Sequence, residues 1–88
     1  MATMPSGSQP SPGAFARAIS AEVRACMARR QVTGAELARR TERSQSYLAK
    51  RLRGEAQFTA NDVEDICRAL KVDLLSLLTA AVRAAQRP

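Results

Sequence analysis

From Phe15 onward the apolar positions recur at the three- and four-residue spacing of helices packed on one side, and no stretch alternates as a half-buried strand would. Phe15, Ile19, Val23, Cys26 and Met27 form the first stripe and predict a helix over about residues 14–30. Thr33-Gly-Ala-Glu36 has the form of a capping box, in which the hydroxyl and the carboxylate each accept from an otherwise orphan amide. It predicts a short helix over about 33–40 with Leu37, Ala38 and Thr41 inward. Ser44 is the next cap residue and opens a helix over about 44–53 through Tyr47, Leu48 and Leu52, stopped by Gly54. Thr59-Ala-Asn-Asp62 offers the cap of a fourth helix over about 59–70, with Val63, Ile66, Cys67 and Leu70 apolar. Asp73 opens a last one over about 73–85. Residues 1–13 are rich in Pro, Ser and Gly without periodicity and read as a disordered lead-in. The expectation is an all-α, compact five-helix bundle, one domain over residues 14–85, joined by short connections.

Composition narrows the chemistry. Eighty-eight residues suffice for one core, and it must be aliphatic, because the only aromatics are Phe15, Tyr47 and Phe58. No apolar run reaches membrane length and the N-terminus lacks the pattern of a secretory signal, so a cytoplasmic location is expected. Cys26 and Cys67 lie far apart, each on an apolar stripe, and read as buried reduced thiols. With no histidine and two cysteines, no metal site and no cofactor are expected. The absence of histidine also removes the commonest general base, and no Ser or Cys has a base neighbour in the sequence. An enzyme is not expected.

Charge then points to a partner. The formal net charge of +6 is concentrated in residues 29–53. There Arg29, Arg30, Arg39, Arg40, Arg43, Lys50, Arg51 and Arg53 face only Glu36 and Glu42. The flanking segments nearly cancel. Such a block is the electrostatic footprint of a protein that meets a polyanion. Two short helices joined by a turn inside that block form the arrangement that lays one helix in the major groove of DNA, which is wide enough for a single helix. The outward side of the second of these shows Gln45, Ser46, Ala49, Lys50 and Arg53.

At these residues the chain resembles the lambdoid repressor and Cro helix-turn-helix family, the XRE-like group. The resemblance is carried by TGAELARRTERSQSYLAKRLRGE, from Thr33, and by FTANDVEDICRALKVDLLSLL, ending at Leu78. Within these lie the Glu-Leu-Ala of the second helix, Ser-x-x-x-Leu of the third, the closing Gly54 and Ile-x-x-Ala-Leu-x-Val before the last. The phrasing is similar to small regulators of high-GC bacteria and their phages, which implies a bacterial or phage-infected cell. The resemblance implies a lambda-repressor-like domain that reads bases with Gln45, Ser46, Ala49 and Lys50. Gln suits adenine, Lys suits guanine O6 and N7, and Ala suits a thymine methyl. It assigns backbone phosphates to Thr33, Arg43, Ser44, Tyr47, Arg51 and Arg53.

Six positions depart from the family pattern. Gly34 stands where a phosphate-holding Gln is usual. Glu42-Arg43 replaces a glycine followed by an apolar residue in the turn, and since a left-handed non-glycine residue costs about 1 kcal/mol, a turn of another shape is expected. Met27 and Leu52 stand where many relatives bury an Arg–Glu pair, so an apolar contact is expected there, often neutral or better for stability. Arg51 replaces an apolar residue and is expected to reach phosphates or an acidic neighbour.

The last helix carries more leucine than one small bundle covers. Leu74, Leu75, Leu78 and Val82 are the candidate contact of a homodimer, formed at least on DNA, that would set two recognition helices about 34 Å apart on a near-palindromic operator. There is no room for a separate ligand domain, so no small-molecule ligand is expected. The leading expectation is a sequence-specific transcriptional regulator of Cro or small-repressor type. The alternative is the same fold used as a protein-interaction module, of antitoxin or antirepressor type, with weak DNA binding.

Overall fold

The computed structural model describes residues 11–87. Most of the lead-in expected over residues 1–13 therefore lies outside the described residues. Five helices follow in order: α1 (Ala14–Arg30), α2 (Gly34–Thr41), α3 (Gln45–Leu52), α4 (Ala60–Leu70) and α5 (Leu74–Ala85). Four of them begin at a residue whose side chain accepts a backbone N–H of the first turn. Thr33 accepts from Glu36, Ser44 from Tyr47, Thr59 from Asp62 and Asp73 from Ser76. Each satisfies one of the donors that a helix start leaves without a partner.

The reciprocal capping box forms at α4, where the Asp62 carboxylate accepts from Thr59 N at 2.9 Å. At Thr33 only half of the expected box exists. Glu36 is drawn away by Arg40, whose Nη2 donates to Oε1 at 2.6 Å, with Arg39 at 3.2 Å from the same oxygen.

The ends of α1 to α4 share one device. At Gln31, Glu42, Gly54 and Lys71 the chain enters the left-handed region, with φ of 55, 56, 78 and 56°. Two backbone hydrogen bonds close each turn, for example Arg43 N to Ala38 O at 2.9 Å and Glu42 N to Arg39 O at 3.3 Å. This is the Schellman closure, which uses up orphan carbonyls. The expectation of a different turn at Glu42-Arg43 is thus corrected: the turn keeps the left-handed shape without glycine. After α1 and α4 the next residue, Val32 or Val72, packs against the core. After α2 that residue is Arg43, and carboxylates of α4 hold it instead.

The core gathers Val23, Cys26 and Met27 of α1, Leu37 and Ala38 of α2, Leu48 of α3, Val63, Ile66, Cys67 and Leu70 of α4, and Leu77 of α5. α1 lies chiefly along α5 and also crosses α3 and α4, while α2 packs on α3 and α4. Met27 is buried and Leu52 packs at the edge of the same apolar cluster, so both positions belong to an apolar region. α1 also closes the C-terminus of α3: Ser20 Oγ donates to Arg51 O at 2.7 Å and the Arg24 guanidinium donates to Leu52 O. Both cysteines are free and buried.

Candidate nucleic-acid interface

α2 and α3 are short, adjacent and joined by the Glu42–Ser44 turn, with Leu37 and Leu48 anchoring their inner sides at almost no exposure. That anchoring decides which residues of α3 point out. Gln45, Ser46, Lys50 and Arg53 are exposed and Ala49 is half-buried beside them. The four base-reading candidates therefore share one accessible side of one helix. Lys50 makes no ion pair among the described residues.

The start of each short helix offers hydrogen-bond donors. Thr33 and Ser44 are exposed, and their oxygens already accept from Glu36 N and Tyr47 N at 3.1 Å each. A hydroxyl that accepts keeps its own proton to donate outward. The amides of the first helical turn add donors and the positive end of the helix dipole. This is a pair of positions suited to phosphate oxygens.

The remaining phosphate candidates are placed differently. Arg43 is turned inward: its Nε donates to Asp62 Oδ1 at 2.7 Å, its Nη2 to Asp65 Oδ2 at 2.9 Å and its Nη1 to Thr41 O at 2.8 Å. Its guanidinium is committed to the fold. Tyr47 donates its hydroxyl to Asp62 Oδ2 at 2.7 Å, and burial first, then this carboxylate, hold the phenol above its ordinary pKa. Arg51 lies over the Tyr47 ring, its guanidinium carbon 3.6 Å from the centroid, and donates to Tyr47 O at 3.1 Å. Neither alternative expected for it includes this aromatic stack, and among the described residues it has no acidic partner. Arg53 pairs with Glu55 at 2.6 Å, with both side chains more than half exposed. Exposed pairs of this kind are worth little and exchange readily for another anion.

Asp62 is the residue of this region that the sequence did not single out beyond its place near a cap. It is 2 % exposed and accepts from Thr59 N, Tyr47 Oη and Arg43 Nε. Burial alone would raise its pKa; the hydrogen bonds from Thr59, Tyr47 and Arg43 outweigh that and hold it below the usual carboxylate value. The Thr59-x-x-Asp62 spacing was the only local signal. Its two other partners lie 15 and 19 residues away in the chain.

On α5, Leu77 and Ala81 face the core, whereas Leu75 is 72 % exposed and Leu74 and Val82 are 37 % and 40 % exposed. Leu78 packs at the core edge. Leu74 and Leu78 border a shallow apolar groove with Phe15, Ile19, Phe58 and Val63. No helix of the described residues is long and apolar enough to cross a membrane.

Comparison with known proteins agrees with this architecture. Two crystal structures of the clp gene regulator ClgR from Corynebacterium glutamicum are similar to the chain, each 28 % identical, with TM-scores of 0.77 and 0.74. The first covers 86 % of this chain and 80 % of its own, the second 78 % and 90 %. No curated protein matches significantly. Residues 18–81 match the helix-turn-helix domain family. With five helices in the matching arrangement and its central pair carrying the outward polar face, the chain belongs to the XRE-like helix-turn-helix family.

Proposed function

We propose that the chain is a sequence-specific DNA-binding transcriptional regulator of the small-repressor kind, reading a near-palindromic operator as a homodimer. The observation that carries this reading is the exposed side of α3. Gln45, Ser46 and Lys50 stand together there, flanked by the donor-rich starts of α2 and α3. Gln45 would address adenine, Lys50 guanine and Ala49 a thymine methyl. Thr33, Ser44 and Arg53 would meet phosphates, the last by exchanging Glu55 for the nucleic acid. Arg51 borders the same helix and can contribute only by leaving its present partner, whereas the Tyr47 hydroxyl stays with Asp62 and meets no phosphate. The similarity to a regulator, ClgR, supports the regulatory role. The exposed apolar side of α5, above all Leu75, supplies the dimer contact.

That same exposed leucine also favours a second reading, an interaction module whose α5 binds another protein while DNA binding is weak. One experiment separates the two. The purified chain selects from a random duplex pool, and the selection is repeated with Gln45→Ala and Lys50→Ala. A palindromic motif that degrades at defined positions in the variant supports the regulator. No enrichment at moderate salt eliminates it and leaves the interaction module.

A further inference from the structure

α3 is eight residues long; Leu48 is its fully buried apolar anchor and Leu52, one turn on along the same stripe, packs at the core edge. Anchors on one stripe fix where a helix lies but leave its rotation about its own axis weakly determined. Successive residues are about 100° apart around a helix, so Tyr47 supplies a second point well away from Leu48. Its hydroxyl ends on the Asp62 carboxylate, whose other oxygen takes Arg43 from the turn immediately before α3. The same carboxylate caps α4 through Thr59 N. Three segments therefore meet at one carboxylate, and Asp65 extends the array by taking Arg43 Nη2 and Arg68 Nη1 at 2.9 and 3.0 Å.

A buried carboxylate is a poor way to gain stability, since apolar residues of similar volume do as well or better. What a fully satisfied polar network adds is directional geometry. A roll of about 20° would move atoms roughly 6 Å from the helix axis by about 2 Å, far beyond the tolerance of a hydrogen bond to a base edge. Long flexible cations would still reach phosphates after such a roll.

We infer that Asp62 is a positioning residue for sequence recognition, setting the rotation of α3 through Tyr47 and Arg43 so that Gln45, Ser46 and Lys50 meet base edges in register. This rests on the DNA-reading function proposed above.

The test uses the full chain, the duplex it selects from a random pool, and a scrambled duplex of equal length. Tyr47→Phe keeps the ring beneath Arg51 and removes only the hydroxyl. It is expected to lower the ratio of selected to scrambled affinity about tenfold, the scale of one hydrogen bond to a charged group. Scrambled-duplex affinity and its salt dependence stay as in the wild type. Combining Asp62→Ala with Tyr47→Phe should lower the ratio no further than Asp62→Ala alone, because the acceptor of the Tyr47 hydroxyl is then already gone. An unchanged ratio with only a lower melting temperature overturns the inference. So does an equal loss on both duplexes with a shallower salt slope, which would mark the Tyr47 hydroxyl as a phosphate ligand. If the wild-type chain prefers no sequence, the DNA-reading function itself fails, and amide hydrogen exchange decides the positioning claim. Amides of Leu48–Leu52 exchanging about tenfold faster in Tyr47→Phe, with α5 unchanged, uphold it; unaltered α3 protection overturns it.

Discussion

Glu42 sits at φ 56° with its side chain exposed, held there by the two backbone bonds that close α2 and by Arg43 beyond it. A glycine would hold the same conformation without the Cβ clash worth about 1–2 kcal/mol, while its freer unfolded chain would return up to about 1 kcal/mol. Glu42→Gly is therefore expected to stabilise by about 0.5 kcal/mol, read as a higher urea midpoint at unchanged slope. Asp62 gives the opposite kind of prediction. Its carboxylate is held below the ordinary range in the folded chain, against burial, by Thr59, Tyr47 and Arg43. A group whose pKa is depressed on folding stabilises above its unfolded value, near pH 4, and loses that contribution as pH falls through the folded value. Stability should thus decline as pH drops below about 4, and Asp62→Asn should show a shallower decline at a lower starting stability. An equally steep decline in the variant would assign acid sensitivity to the surface carboxylates instead.

Between elements, the α1–α3 seam and the α2–α3–α4 junction are built by different chemistry. The seam is apolar at Met27 and Leu52 and is finished by Ser20 and Arg24 on the last carbonyls of α3. Met27→Arg would place one charge in that apolar seam with no acid opposite, at an expected cost of about 3–5 kcal/mol. An unchanged denaturation midpoint would remove this account of the seam. The junction instead concentrates charge at Arg43, Asp62 and Asp65. The least exposed ion pair of the described residues thus joins the turn to α4.

For the whole molecule, the positive block of the sequence is partly neutralised by folding. Arg39 and Arg40 pair with Glu36, Arg43 with Asp62 and Asp65, and Arg53 with Glu55. The salt dependence of DNA affinity should accordingly be gentler than the count of basic residues suggests. Arg53→Ala should weaken binding about equally on all sequences and reduce the slope of log affinity against log salt by about 1. Assembly has its own test. Leu75 is mostly exposed, so Leu75→Glu should leave monomer stability within about 0.5 kcal/mol. In sedimentation on and off a palindromic duplex, it should abolish two-protomer binding. Retained pairing would move the dimer contact away from this side of α5.

The helices could be read from the chain because their causes are local. A stripe at helical spacing, a Thr or Ser before it and a Gly after it act within a few residues, and Thr33, Ser44, Thr59, Asp73 and Gly54 each serve such an end. The exposed side of α3 was legible for the same reason, since burying Leu48 fixes by helical geometry that Gln45, Ser46 and Lys50 stand clear of the core. What Arg43, Tyr47 and Arg51 do was not legible, because a long polar side chain chooses among partners brought near only by packing. Arg43 and Tyr47 found carboxylates 15 to 22 residues away, and Arg51 found a ring one turn back. The αL turn at Glu42 was likewise decided in tertiary structure, where α4 carboxylates hold Arg43 in the place an apolar residue would take. The sequence by itself determined five helices and an outward polar side of α3, through contacts within one or two turns. Only the tertiary structure decided which charges remain for a partner and which hold the helices in place.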